Sequence, residues 1–144
     1  MAKLKLNWSL RYEYTESNVN VHAPTSGGVY RLIYKSDDEY IVFYVGQAGN
    51  IDERLRKHLA VTEPDACIKR HLRDYTCYFR YAEVASIADR NGTERALYDH
   101  FNKPTCNTIE PPGPPADINF EGDCYLLDNK TIVFTQPEAP LSWR

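Results

Sequence analysis

The chain has 144 residues, 42% of them hydrophobic and 26% charged, with a formal net charge of -3. That length suits one modest core rather than two, and the composition is that of a folded domain, not a disordered segment. No apolar run approaches the roughly 20 residues of a membrane span, and residues 1–10 lack the apolar stretch of a signal peptide, so the expected location is the cytoplasm. The charge is unevenly placed: residues 1–107 carry 15 basic against 14 acidic side chains, and residues 108–144 carry 2 against 6. Acidity therefore collects in the tail, and a mildly basic strip (Arg54, Arg56, Lys57, Lys69, Arg70, Arg73) lies in the middle of the chain.

In chain order, residues 1–26 read as an arm with Trp8, Tyr12 and Tyr14, ending in the turn-like Ala23-Pro24-Thr25-Ser26-Gly27. Val29 to Tyr34 and Tyr40 to Val45 are β-branched and aromatic runs, and the polar residues 35–39 between them predict an antiparallel hairpin. Asn50 offers an N-cap with Glu53 three residues on, and Ile51, Leu55 and Leu59 form one apolar stripe, which predicts a helix over 51–59. A second helix is expected from Pro64 to Arg73, a third strand over 75–84, and a third helix from about Thr93 to Asn102, stopped by Pro104. Residues 110–115 are Pro-rich and extended. Beyond them, 124–127 and 131–134 flank Asp128-Asn129-Lys130 as a small hairpin.

Cys67, Cys77, Cys106 and Cys124 include no Cys-x-x-Cys pair, so reduced, packed thiols are expected rather than a disulfide framework or a zinc finger. A zinc site from His58, His71, His100 and Cys106 has no standard ligand spacing behind it. The sequons at Asn7, Asn91 and Asn129 carry no meaning without export.

Gly28-Val29-Tyr30 and Tyr44-Val45-Gly46 sit on the two predicted hairpin strands. Arg54 and His58 follow, four apart on the capped helix, then Glu94 on the third helix and Pro104-Thr105-Cys106-Asn107. This order resembles the GIY-YIG nuclease family over residues 27–107. The resemblance implies an α+β fold with a three-stranded antiparallel sheet flanked by helices, here with the arm 1–26 and the extension 108–144 added. It also implies a metal-dependent endonuclease that hydrolyses DNA phosphodiester bonds with Mg²⁺ or Mn²⁺. RNA stays open as a substrate, and a nucleic-acid- or protein-binding module with little cleavage is the alternative.

The roles implied are Tyr30 beside the attacking water, Tyr44 in support, Arg54 and His58 at the phosphate, Glu94 as the metal ligand, and Asn107 orienting the site by hydrogen bonds. The residue chemistry agrees. A guanidinium grips two phosphate oxygens, and a carboxylate on the apolar side of a helix needs a partner such as a hard cation. Gly28 and Gly46 are expected to let a phosphate backbone approach the tyrosines. Gln47, Arg56, Lys57, Lys69, Arg70 and His71 are the expected nucleic-acid contacts. Thirteen residues separate Tyr30 from Tyr44, more than is usual in the family, and an enlarged hairpin turn is expected to absorb them.

Overall fold

The computed structural model describes residues 4–118 and the backbone of Asp123–Leu127 and Thr131–Thr135. Along the chain the elements are β1 (Asn7–Trp8), β2 (Tyr12–Glu13), α1 (Glu16–His22), β3 (Gly28–Ser36), β4 (Glu39–Ala48), α2 (Ile51–Leu59), α3 (Ala66–Asp74), β5 (Cys77–Glu83), α4 (Ile87–His100), β6 (Asp123–Leu127) and β7 (Thr131–Thr135). The class is α+β, as expected. The main sheet, however, has four strands in the order β2-β5-β3-β4, not three, because the arm adds Tyr12 and Glu13 opposite Phe79 and Tyr78. A second sheet has the order β1-β6-β7, with β1 parallel to β6 and β6 antiparallel to β7. The C-terminal hairpin thus joins the N-terminal arm, while its turn at 128–130 and the sequon at Asn129 lie outside the described residues.

The hairpin β3–β4 closes through two residues, Asp37 and Asp38, with Ser36 opposite Glu39 and a positive φ of 55° at Asp37. The turn is not enlarged. Long strands absorb the extra residues instead, together with an irregularity: Leu32 pairs with Tyr44 but Ile33 with Val42, so Phe43 is the extra residue of a bulge. The register places Tyr30 and Leu32 on one face and, through the Leu32 pair, Tyr44 on the same face.

Each face has its own core. Tyr30, Leu32 and Phe79 pack with Phe43, Val19 of α1, Ile51 and Leu55 of α2 and Ile68 of α3. On the opposite face Val29, Ile33 and Val45 pack against Leu97 of α4 and Phe101, which caps that helix, and Leu6, Trp8 and Ile118 close the flank.

Helix α2 begins and ends where the pattern placed it, and the Asn50 side chain accepts from Glu53 N at 3.0 Å. Helix α3 starts two residues later than expected because Asp65, not Pro64, supplies the start: its side chain accepts from the amides of Cys67 and Ile68. The arm holds α1, which the sequence reading missed; Thr15 caps it, accepting from Asn18 N at 3.1 Å. Helix α4 starts six residues before the expected Thr93, at Ile87, with Ser86 accepting from Asp89 N. Asn91 and Gly92 are weak helix formers that hide this continuity. Gly92 has a packing reason, since a Cβ there would lie 3.1 Å from Ala116 N, whose amide bonds the Gly92 carbonyl at 2.8 Å.

The cysteine expectation is corrected too. Cys67 and Cys106 are joined by a disulfide across 39 residues of sequence, and Cys77 is a buried free thiol. Among the described residues no helix is long and apolar enough to cross a membrane.

Deleting residues 117–144 removes Ile118 and the strand that pairs with β1, but no element of the four-stranded sheet. The thermal midpoint should fall while dispersed amide resonances persist for β3, β4 and β5. Collapse of those resonances would show that the second sheet is required for the first to fold.

Candidate active site

Tyr30 is wholly buried, and its hydroxyl lies 2.8 Å from His58 Nε2. The other ring nitrogen, His58 Nδ1, lies 2.9 Å from Glu63 Oε2, and Glu63 is buried as well. A carboxylate accepts, so Nδ1 carries the proton toward Glu63, Nε2 is the acceptor, and the Tyr30 hydroxyl donates to it. The result is a buried tyrosine–histidine–carboxylate chain. Glu63 is fixed further by its own bond from Asp65 N at 2.9 Å.

Burial lowers the His58 pKa, opposed by the nearby Glu63 carboxylate, so the imidazole is neutral at neutral pH. Burial also raises the Tyr30 pKa well above the usual value; the Tyr44 hydroxyl and the Glu94 charge push the same way, and Arg54 pulls back. The Arg54 guanidinium hydrogen-bonds to the Tyr30 hydroxyl and also engages Tyr44, which favours its charged form. Arg54 as a whole is an exposed residue. The two tyrosine rings are 6.1 Å apart between centroids; burial raises the Tyr44 pKa, and Arg54 and the Tyr30 hydroxyl beside it pull it back. Tyr44 is the less buried of the two.

Helix α4 packs on the sheet face opposite Tyr30, but Glu94 comes round at the edge strand β4. Its Oε1 accepts from Gln47 Nε2 at 3.2 Å, and Gln47 also donates to Asn91 Oδ1. Burial raises the Glu94 pKa, while the Gln47 amide and then Arg54 lower it. Glu94 sits in the second half of α4, away from the helix N-terminus. Asn107 meets the same strand: its Oδ1 accepts from Val45 N and its Nδ2 donates to Val45 O, both at 2.8 Å. Tyr44, Glu94 and Asn107 line one cavity of about 280 Å³ together with Asp65, Cys106 and Glu110. A neighbouring cavity of about 370 Å³ is lined by Arg54, Lys57, His58, Thr62, Glu63 and Pro64.

The glycines serve a different purpose from the one expected. A Cβ on Gly28 would meet Ala82 O at 2.2 Å, and one on Gly46 would meet the Tyr30 hydroxyl at 2.5 Å. Both make room for protein, the neighbouring strand in one case and the tyrosine in the other, and not for an approaching phosphate.

The expected nucleic-acid contacts divide. Gln47 belongs to the Glu94 bonding network. Arg56 pairs with Asp52, Lys57 with Glu53 at 3.2 Å, and Lys69 donates to Val61 O at 3.1 Å. Arg70 is exposed. His71 is 8% exposed and stacked on Phe43 with ring centroids 4.6 Å apart, so it belongs to the core and not to a surface that DNA could reach. The sequence reading missed Glu63 altogether. Its one signal was a carboxylate five residues past His58 in the loop before Pro64.

No family model matches the chain, and no curated protein does.

The neutral, buried His58 fixes the sign of one pH dependence. Below its ordinary value of 6.5 the unfolded chain takes up a proton that the folded chain accepts only at lower pH. Stability from this group is therefore constant above that value and declines as pH falls toward the lowered folded pKa. Urea unfolding measured between about pH 8 and about pH 5 should show a shallower decline for His58→Gln than for the wild type. Equal slopes would mean that His58 is not held neutral by the fold.

Proposed function

We propose that the chain is a GIY-YIG-like endonuclease that hydrolyses phosphodiester bonds of DNA with Mg²⁺ or Mn²⁺. One observation carries the reading: Tyr44, Glu94 and Asn107, from a strand, a helix and a loop far apart in sequence, line one cavity, with Tyr30, Arg54 and His58 hydrogen-bonded immediately behind Tyr44. A binding module has no chemical need for a proton-accepting chain behind its contact surface.

Glu94 fits a hard divalent cation, because it is a carboxylate at a desolvated edge whose partner is the neutral Gln47 amide; Asp65 and Glu110 line the same cavity, the one capping α3 and the other paired with Arg95 at 2.8 Å. When bound there, such an ion supplies charge stabilisation for the leaving oxygen. The rest of the chemistry falls to the side chains. Tyr30 is wholly buried, so Tyr44 and not the expected Tyr30 meets the attacking water: the water gives its proton to the Tyr44 hydroxyl as Tyr44 passes its own to Tyr30 and Tyr30 passes its own to His58 Nε2. The imidazolium so formed is paired with Glu63. Neutral His58 can take that proton, whereas the raised pKa of Tyr30 makes a free tyrosinate unfavourable; the shared transfer avoids forming one. Arg54 donates toward both hydroxyls and stands next to the charge that builds on the phosphate. Asn107 holds Val45, and with it the strand that carries Tyr44.

The binding-module alternative has its own support. Arg56 and Lys57 are paired with carboxylates, and His71 is in the core, which leaves the surface near the cavity weakly basic.

The two readings part in a plasmid-nicking assay at low salt, with Mg²⁺ or Mn²⁺ and with EDTA as the control. Wild type should nick DNA only with the metal. Glu94→Gln should abolish nicking without loss of thermal stability, since burial already disfavours the carboxylate charge. Tyr30→Phe should lower the rate on the order of 10²-fold or more by breaking the proton path. Cleavage that survives Glu94→Gln would refute the metal assignment. A wild type that binds DNA or RNA without cutting either would establish the binding module.

A further inference from the structure

A second group of chemically competent side chains lies beside the cavity and takes no part in the scheme above. Cys67 and His71 are one helical turn apart on α3, and Cys106 reaches them from the loop that precedes Asn107. The ligand atoms of all three, Cys67 Sγ, His71 Nδ1 and Cys106 Sγ, lie within 4.8 Å of one another. Nδ1 stands 3.5 Å from Cys106 Sγ and 3.9 Å from Cys67 Sγ.

In the oxidised form His71 Nδ1 bonds the Cys67 carbonyl one turn back on the helix, and the imidazole is held in place beside both sulfurs. It is stacked on Phe43 at 7° between planes and flanked by Tyr34 at 5.1 Å and Tyr75 at 5.7 Å. Two sulfurs and one ring nitrogen are the donor set of zinc, and a helical i, i+4 pair with a third ligand from a loop leaves a fourth position open. Cys106 lines the cavity, so water can supply the fourth position from there.

We propose that Cys67, His71 and Cys106 form a thiolate–imidazole site for Zn²⁺ in the reduced protein, with the disulfide as the alternative cross-link between the same two segments. A dithiol reductant delivers two electrons and two protons to the S–S bond and leaves two thiols. Each sulfur then loses its proton as it binds the ion. His71 Nδ1 gives up its 2.9 Å bond to the Cys67 carbonyl, and the ring proton moves to Nε2. Cys77 is not a ligand, because its sulfur faces the carbonyls of His71 at 3.3 Å and Tyr75 at 3.6 Å. Either cross-link ties α3 to the loop whose next residue, Asn107, holds Val45. The site does not depend on whether the neighbouring cavity cleaves phosphodiesters.

Co²⁺ reports thiolate ligation by colour. Full-length protein, reduced with a dithiol and then freed of it without air, should develop a sulfur-to-cobalt charge-transfer band that saturates at one equivalent and is bleached by Zn²⁺. Oxidised protein should develop none. Cys67→Ser, Cys106→Ser and His71→Gln should each weaken binding by more than the roughly 10–100-fold that loss of an outer-shell partner costs, while Cys77→Ser and Cys124→Ser bind as wild type does. Should a variant fail to fold, the wild type alone decides: Zn²⁺ should protect Cys67 and Cys106 from alkylation, read by peptide mass spectrometry. Equal alkylation with and without Zn²⁺, or no charge-transfer band in reduced wild type, overturns the proposal.

Discussion

Strand β4 is one of the two outer strands of the four-stranded sheet, and an edge strand must find partners for the amides and carbonyls that its neighbour does not use. Here the partners are the loop after α4: Cys106 N donates to Phe43 O at 2.8 Å, and the Asn107 amide bonds both polar groups of Val45. That closure decides where a site can exist. It brings the 104–107 loop against Tyr44, and it puts β4 between two faces whose helices would otherwise never meet. Helix α4 lies on one face and α2 on the other, yet Glu94 and Tyr44 share a cavity because both arrive at the same free edge. Each chemical group comes from an element with its own structural duty, and the edge is the one place where those elements converge.

The bulge at Phe43 is the second half of that arrangement. Without the extra residue the alternation along β4 would run unbroken through Phe43 and Tyr44, and one of the two would have to leave the face it occupies. With it, Phe43 packs into the core with Tyr30 and Leu55, and Tyr44 still turns its ring toward Tyr30 and His58. Phe43 then serves as the platform on which His71 stacks. The position of the Cys67–His71–Cys106 cluster and that of the tyrosine pair therefore trace to one local irregularity, which no hydropathy pattern announces.

What the sequence disclosed follows the range of the interaction involved. Helix α2 was legible because its cap and apolar stripe are local: Asn50 lies three residues from Glu53, and Ile51, Leu55 and Leu59 repeat at helical spacing. The order Tyr30, Tyr44, Arg54, His58, Glu94, Asn107 was legible as a pattern, although only coordinates place those side chains. The cap of α4 at Ser86 was masked by Asn91 and Gly92, and α1 by the polar, β-branched run after Thr15. The Cys67–Cys106 pairing was invisible because its distance is set by the loop at the edge of β4. Glu63 was missed for a similar reason: a carboxylate in a polar loop looks solvated until the fold turns it inward against His58, and that contact depends on where α2 ends and α3 begins.

The charge distribution acquires a physical meaning only at this level. Half of the basic strip is paired within the fold, since Arg56 and Lys57 face carboxylates one turn back on α2 and Arg73 faces Asp74. The exposed pairs, Lys57–Glu53 and Arg73–Asp74, contribute little to stability. Their larger effect is to lower the field a polyanion meets on approach. Arg54 differs from them: its hydrogen-bond partners are two neutral hydroxyls, and the charge it faces across the site is Glu94, whose ionised form it favours. A phosphate entering there meets one oriented cation rather than a diffuse basic face, and positioning of the phosphate takes precedence over strength of attraction.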